Sequence, residues 1–137
     1  MHLFTMKSKL FSTYKQAEEF LLQTIDFEKL TQYKYDTSTF DLKRMEEMMS
    51  YVGDPHKKRR AVHITGTKGK GSTAIIIASA IKGLGLKTGL FTSPHLTYLG
   101  ERMKVDDKTI SQETFVQLMN MLKPYIERIT LENPILI

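Results

Sequence analysis

Gly66, Gly69 and Gly71 fall within six residues, with Lys68 and Lys70 between them and Ser72-Thr73 directly after. A short apolar run, Ala61-Val62-His63-Ile64-Thr65, leads into this segment, and Ala74-Ile75-Ile76-Ile77-Ala78-Ser79-Ala80-Ile81 leads out of it. An apolar run of strand length, an abrupt glycine turn and a longer apolar stretch predict strand, loop and buried helix. Glycines let successive backbone N–H groups turn inward around an anion, and the helix start adds further donors and the positive end of its dipole. A plain turn needs one or two glycines. Three glycines, two lysines and two hydroxyls at a helix start point to phosphate instead.

The strict P-loop spacing is absent, because Gly71 rather than a hydroxyl follows Gly69-Lys70 and Ile64 holds the leading glycine position. The physics of the loop is nonetheless intact. Lys70 is expected to contact β- and γ-phosphates and to offset the charge that builds as a γ-phosphoryl group leaves. Ser72 or Thr73 could meet phosphate or magnesium. A dinucleotide fingerprint is not expected, since the glycines are spaced three and two apart and no acidic residue stands near the end of the next strand.

That next strand is predicted over Thr88-Gly89-Leu90-Phe91-Thr92, after a helix end near Gly83 and Gly85. A right-handed crossover would make the two strands parallel, bringing the Gly66 to Thr73 loop and the Thr92 to His95 segment to one carboxyl edge. Upstream, Tyr14 to Thr24 reads as an amphipathic helix capped by Ser12 or Thr13. A second helix with Leu42, Met45, Met48 and Met49 on one face starts after Asp41 and ends at Gly53-Asp54-Pro55. Downstream, Arg102 to Val105 and Lys108 to Ile110 flank Asp106-Asp107 as a hairpin. Ser111 can cap a helix expected to stop near Pro124 or a turn later.

Composition narrows the chemistry. The chain has 137 residues, suiting about one domain, and no cysteine, which excludes thiolate zinc, disulfides and a cysteine nucleophile. The net charge of +5 suits anionic ligands without demanding nucleic acid. The basic run His56 to Arg60 reads as a solvated connector, since no aromatic residue is interleaved with the charges. No signal-peptide apolar region follows Lys7 and Lys9, and the run from Ala74 to Ile81 is far too short to cross a bilayer. A cytoplasmic protein with no nucleic-acid or membrane partner is expected.

The run His63-Ile64-Thr65-Gly66-Thr67-Lys68-Gly69-Lys70-Gly71-Ser72-Thr73, followed by Gly89-Leu90-Phe91-Thr92-Ser93-Pro94-His95-Leu96 and Glu101-Arg102-Met103, resembles folylpolyglutamate synthase and the bifunctional dihydrofolate synthase, members of the Mur ligase superfamily. The resemblance runs from about Leu42 through the helix after Ser111, includes the Gly53-Asp54-Pro55 turn, and is weak in the first forty residues. Lys68 stands where the family usually has Asn, and so does Gly100 before the Glu-Arg pair. The resemblance implies an α/β fold with a P-loop-containing parallel sheet of the Mur ligase ATPase-domain type, incomplete here. Residues 1–60 would be a helical segment and basic connector, and residues 61–137 the N-terminal part of the ATP-binding domain.

It also implies chemistry. ATP phosphorylates a carboxylate of a folate or dihydropteroate, and the α-amino group of glutamate attacks the acyl phosphate to form an amide. Carried over, Gly66, Thr67, Lys68, Gly69, Lys70, Gly71, Ser72 and Thr73 hold ATP, Lys70 contacts its γ-phosphate, and Ser93 is a Mg2+ ligand. His95 and Arg102 fall in the substrate-facing region. Simpler readings stand beside these: Ser93 as a cap, His95 as a turn histidine, Arg102 as the ion-pair partner of Glu101 or another carboxylate. The family's remaining metal ligands, a modified lysine and a carboxy-terminal domain lie downstream of the matched motifs. The expectation is an N-terminal piece of the enzyme, inactive without its C-terminal part. The alternative is a nucleotide- or phosphate-binding module with no ligase activity.

Overall fold

A computed structural model describes residues 9–24 and 42–132. Lys7 and Asp41, both used above, lie outside the described residues. The chain forms two compact units, one from residues 1–59 with 116–137, the other from Arg60 to Phe115.

The first unit contains α1 (Tyr14–Thr24), α2 (Leu42–Tyr51) and most of α4 (Gln112–Glu132). Thr13 caps α1, its hydroxyl accepting the Gln16 N–H at 3.3 Å, as the sequence predicted. Ala17, Met119 and Ile126 are buried, and the Phe11 and Phe20 rings lie 5.2 Å apart. Asn120 brackets Phe11, accepting its N–H at 2.7 Å and donating to its C=O at 3.0 Å. Lys123 is buried with its amine donating to the Lys9 carbonyl, at 2.7 Å, and sitting over the Phe11 ring. Its burial is tolerable because the Glu127 carboxylate at 3.3 Å, the Lys9 carbonyl and the Phe11 and Phe20 rings all meet the ammonium. α4 runs through Pro124 to Glu132, further than the sequence suggested. Proline removes one helical N–H, but Lys123 on one side and Tyr125, stacked on Tyr51 at 4.9 Å, and buried Ile126 on the other anchor the helix across it.

The second unit carries the glycine loop, α3 (Lys70–Gly83), β1 (Gly89–Phe91), β2 (Met103–Val105) and β3 (Lys108–Thr109). The expected hairpin forms: Val105 pairs with Lys108, and Asp106 and Asp107 both take positive φ, 49° and 67°, which a two-residue hairpin turn requires. Asp106 Oδ1 accepts the Thr88 N–H at 2.8 Å, and Lys82 in the last turn of α3 pairs with Asp107. That hydrogen bond to Asp107 raises the Lys82 pKa. The turn thereby ties α3, β1 and the hairpin together.

The sheet differs from the expected one. Its order is β1-β2-β3 and both pairings are antiparallel, with Leu90 opposite Lys104. Residues 61–65, expected to be a buried strand parallel to β1, carry no strand structure and are mostly exposed. The reason is pairing. A strand exists through its ladder, and no described segment lies alongside these residues to complete one. Among the described residues, no helix is long and apolar enough to cross a membrane.

Candidate phosphate-binding site

The loop enters α3 through two glycines in conformations other residues rarely adopt: Gly66 has φ 153° and Gly69, the helix N-cap, φ 76°. Thr73 N–H closes the first helical bond onto the Gly69 carbonyl at 3.0 Å. The N–H groups of Lys70, Gly71 and Ser72 precede that bond and have no acceptor inside the helix. They are the donors an anion would take. Lys70 folds its amine back onto the Gly66 carbonyl, 2.7 Å away, so the cation already spans the mouth of the loop. Gly66, Thr67, Lys68, Gly69, Lys70, Ser72 and Thr73 are exposed and Gly71 is half-buried.

Lys70 and Gly71 share one cleft with Ser93, of about 770 Å³, whose walls also include Arg60 to Thr65 and Lys87 to Thr92. Of the loop, Lys70 and Gly71 line this cleft together with Ser93, while the parallel strand pair on which the carboxyl-edge expectation rested does not form. These residues fit a phosphate chain by their donors and charge. For Mg2+ the loop and Ser93 supply hydroxyls and the cleft lining no carboxylate, and the described residues contain no group of three or more His, Asp or Glu able to hold a metal. Any ion here would be held chiefly by phosphate oxygens and water.

His95 and Arg102 do not line that cleft; they bind each other. Arg102 Nε donates to His95 Nδ1 at 2.8 Å, so a neutral imidazole carries its proton on Nε2 and presents it as a donor. The Glu101-Arg102 ion pair is thus not what organises this segment. The Glu101 carboxylate instead accepts the backbone N–H groups of Leu96 at 2.9 Å, Thr97 at 3.2 Å and Tyr98 at 3.4 Å. Sequence reading missed this use of Glu101, although a glutamate three residues after the start of a helical turn is the signal for it. One residue of the Glu-Arg pair holds the loop backbone and the other holds His95. At Gly100, an added Cβ would come within 2.8 Å of the Tyr98 ring, so glycine there gives the ring its room.

The Leu96 N–H, with help from Tyr98 and Thr97, holds the Glu101 carboxyl below its ordinary pKa of 4.5. A depressed pKa in the folded state means that the stabilisation is complete above 4.5 and is lost as pH falls through the folded-state value. The protection of the Leu96, Thr97 and Tyr98 amides against hydrogen exchange should therefore collapse on acidification through that range. In Glu101→Gln it should already be weak at neutral pH. Protection that ignores both changes would contradict the clamp.

The fold and site place the chain among α/β proteins that carry a glycine-rich loop at the start of a helix. No family model matches it. The dihydrofolate synthase/folylpolyglutamate synthase of Bacillus subtilis is 43% identical over 86 residues, which are 63% of this chain and 20% of that protein. The solved Mycobacterium tuberculosis folylpolyglutamate synthase complexed with ADP matches with a TM-score of 0.73 at 29% identity, covering 88% of this chain and 25% of that one. A folylpolyglutamate synthase–AMPPCP–folate complex matches with a TM-score of 0.70 at 25% identity, over 89% of this chain and 28% of that one. These similar proteins are folylpolyglutamate synthases, and the chain spans about a fifth of the length of the Bacillus subtilis relative and about a quarter of the solved Mycobacterium tuberculosis chain.

Proposed function

We propose that the chain is the nucleotide-phosphate-binding part of an ATP-dependent ligase that adds glutamate to a folate or dihydropteroate. The observation that carries this reading is the loop Gly66 to Thr73, opening α3 with Lys70 across its mouth and sharing a cleft with Ser93. In the reaction a substrate carboxylate oxygen attacks the γ-phosphorus and ADP leaves. The glutamate amine then attacks the acyl carbon, losing a proton, and phosphate leaves. The loop amides and Lys70 would bind and orient the phosphates, and Lys70 would offset charge on the departing ADP. Ser93 would contribute its hydroxyl to Mg2+, which when bound neutralises phosphate charge. His95 Nε2–H, held in place by Arg102, would serve as a donor toward the acceptor substrate.

In domain terms, residues 61–137 would belong to the ATP-binding domain and residues 1–60 to a helical segment before it, in a cytoplasmic enzyme completed by polypeptide outside this chain. A second reading is a phosphate-binding module without ligase activity. Titrating the chain with AMPPCP and magnesium by calorimetry tests what both share. Saturable binding of one nucleotide supports the site, and no heat of binding removes it.

Ser93 allows a sharper test in a complete enzyme containing this chain. Ser93→Ala should raise the magnesium concentration needed for half-maximal turnover severalfold while leaving the melting temperature nearly fixed, because the side chain is exposed. A lower melting temperature at unchanged magnesium dependence would assign Ser93 to capping.

A further inference from the structure

The loop between β1 and β2 is held from inside by its own last two residues. Thr92 N–H donates to the Arg102 carbonyl at 3.0 Å and closes the mouth of the loop. Glu101 N–H donates to the Tyr98 carbonyl at 3.1 Å, so residues 98–101 form one tight turn. From that turn the Glu101 side chain reaches back to the N–H groups of Leu96, Thr97 and Tyr98. Three consecutive N–H groups bent around one point make the concavity that elsewhere binds a free anion. Here the chain's own carboxylate fills it, so it is not open to a ligand.

Adjacent residues hold adjacent residues in reverse order: Glu101 holds Leu96, and Arg102 holds His95. Packing adds little to this arrangement. Ser93, Pro94, Leu96 and Thr97 are exposed, Leu96 to 95%, whereas Leu99 and Gly100 are buried at the far end. A loop with so few buried groups keeps one conformation through its polar contacts. The imidazole meets Arg102 only while the backbone at 95–96 stays where the Leu96–Glu101 bond puts it. Among the described residues, Glu101 itself makes no hydrogen bond or ion pair with His95.

We infer that Glu101 is a positioning residue: by fixing the backbone of residues 96–98 it sets the imidazole of His95, to which it is not bonded, and with Arg102 it presents Nε2–H as a preformed donor to the acceptor substrate. A donor fixed before binding spares the complex the cost of ordering it. Glutamate suits the task because its carboxylate offers two oxygens and no donor to three N–H groups, whereas glutamine would turn an NH2 against them. Use of the donor by a folate or dihydropteroate rests on the ligase reading; the hold of Glu101 on His95 does not.

The test reads the isotope-labelled 137-residue chain by NMR with its imidazoles neutral. In the unaltered chain His95 should show the Nε2–H tautomer alone. Glu101→Gln should mix the two tautomers and speed exchange of the Leu96, Thr97 and Tyr98 amides at least tenfold, while the Asp106 and Ile110 amides, bonded to Thr88 and Met103, keep their protection. Arg102→Met should mix the tautomers and leave the three loop amides protected. Glu101→Asp keeps the charge on a side chain one methylene shorter and should give the Glu101→Gln pattern in milder form, which covers the case in which glutamine loosens the hairpin as well. The inference is overturned if the unaltered chain shows mixed tautomers or Nδ1–H, or if Glu101→Gln frees the loop amides with the tautomer unchanged. It also falls if, across the variants, the tautomer follows the hairpin amides rather than that of Leu96. Tetrahydrofolate separates the two readings: a His95 signal that moves on its addition supports the donor role, and an unmoved one removes that role while the tautomer alone decides the hold of Glu101 on His95.

Discussion

Replacing Lys70 with alanine is expected to weaken nucleotide binding about tenfold or more. The amine lies over the loop mouth, 2.7 Å from the Gly66 carbonyl, at the start of a helix whose first N–H groups face the same place. A phosphate oxygen would draw it away from a neutral carbonyl into a charge-assisted hydrogen bond, which contributes about 1.5 to 3 kcal/mol. A loss of that size corresponds to roughly one to two orders of magnitude in affinity. Lys68→Asn should be far milder, because it restores the residue that usually stands there in the family the loop resembles. Calorimetric titration of the two variants with AMPPCP separates them. Equal affinity in Lys70→Ala and the unaltered chain would end the assignment.

The second large effect is an absence of turnover by the 137-residue chain acting alone. Amide formation through an acyl phosphate needs γ-phosphate, metal, carboxylate and attacking amine in near-attack geometry, and positioning of that kind supplies about 7 to 11 kcal/mol of the barrier. The described residues offer the phosphate side of that arrangement and no acidic or histidine cluster for a metal. The cleft is also open to solvent, so a reactive acyl phosphate would meet water. Incubating the chain with ATP, magnesium, glutamate and either dihydropteroate or tetrahydrofolate should give ADP at most. A glutamylated product detected by mass spectrometry at a catalytic rate would refute this.

The parts of the fold that local chemistry decides were legible in the sequence. Thr13 and Ser111 cap α1 and α4 through the expected hydroxyls, and Asp106-Asp107 makes the expected turn. The glycine loop opens α3 as its spacing required. Pairing was not legible. Thr88 to Thr92 read as a strand, but an apolar run carries no mark of its neighbour, and the hairpin's proximity made β2 the partner. Residues 61–65 read as a buried strand because their composition suits pairing on both sides, whereas the described chain supplies none. At the site, Ser93 and Lys70 line one cleft, but not through the parallel strand pair from which the carboxyl-edge argument started. The division of labour between Glu101 and Arg102 depends on side-chain direction, which adjacency in sequence conceals: an ion pair was as reasonable as the two separate clamps the structure shows.

The proposed ligase role is most directly tested by joining this chain to the downstream polypeptide of the Bacillus subtilis relative and assaying the purified fusion with ATP, magnesium, glutamate and a folate or dihydropteroate acceptor. The account predicts a product one glutamate heavier, with ADP and phosphate released in step, and loss of that product in the Lys70→Ala fusion. A fusion that folds and binds AMPPCP yet yields no glutamylated product with either acceptor would contradict it and leave the phosphate-binding module standing.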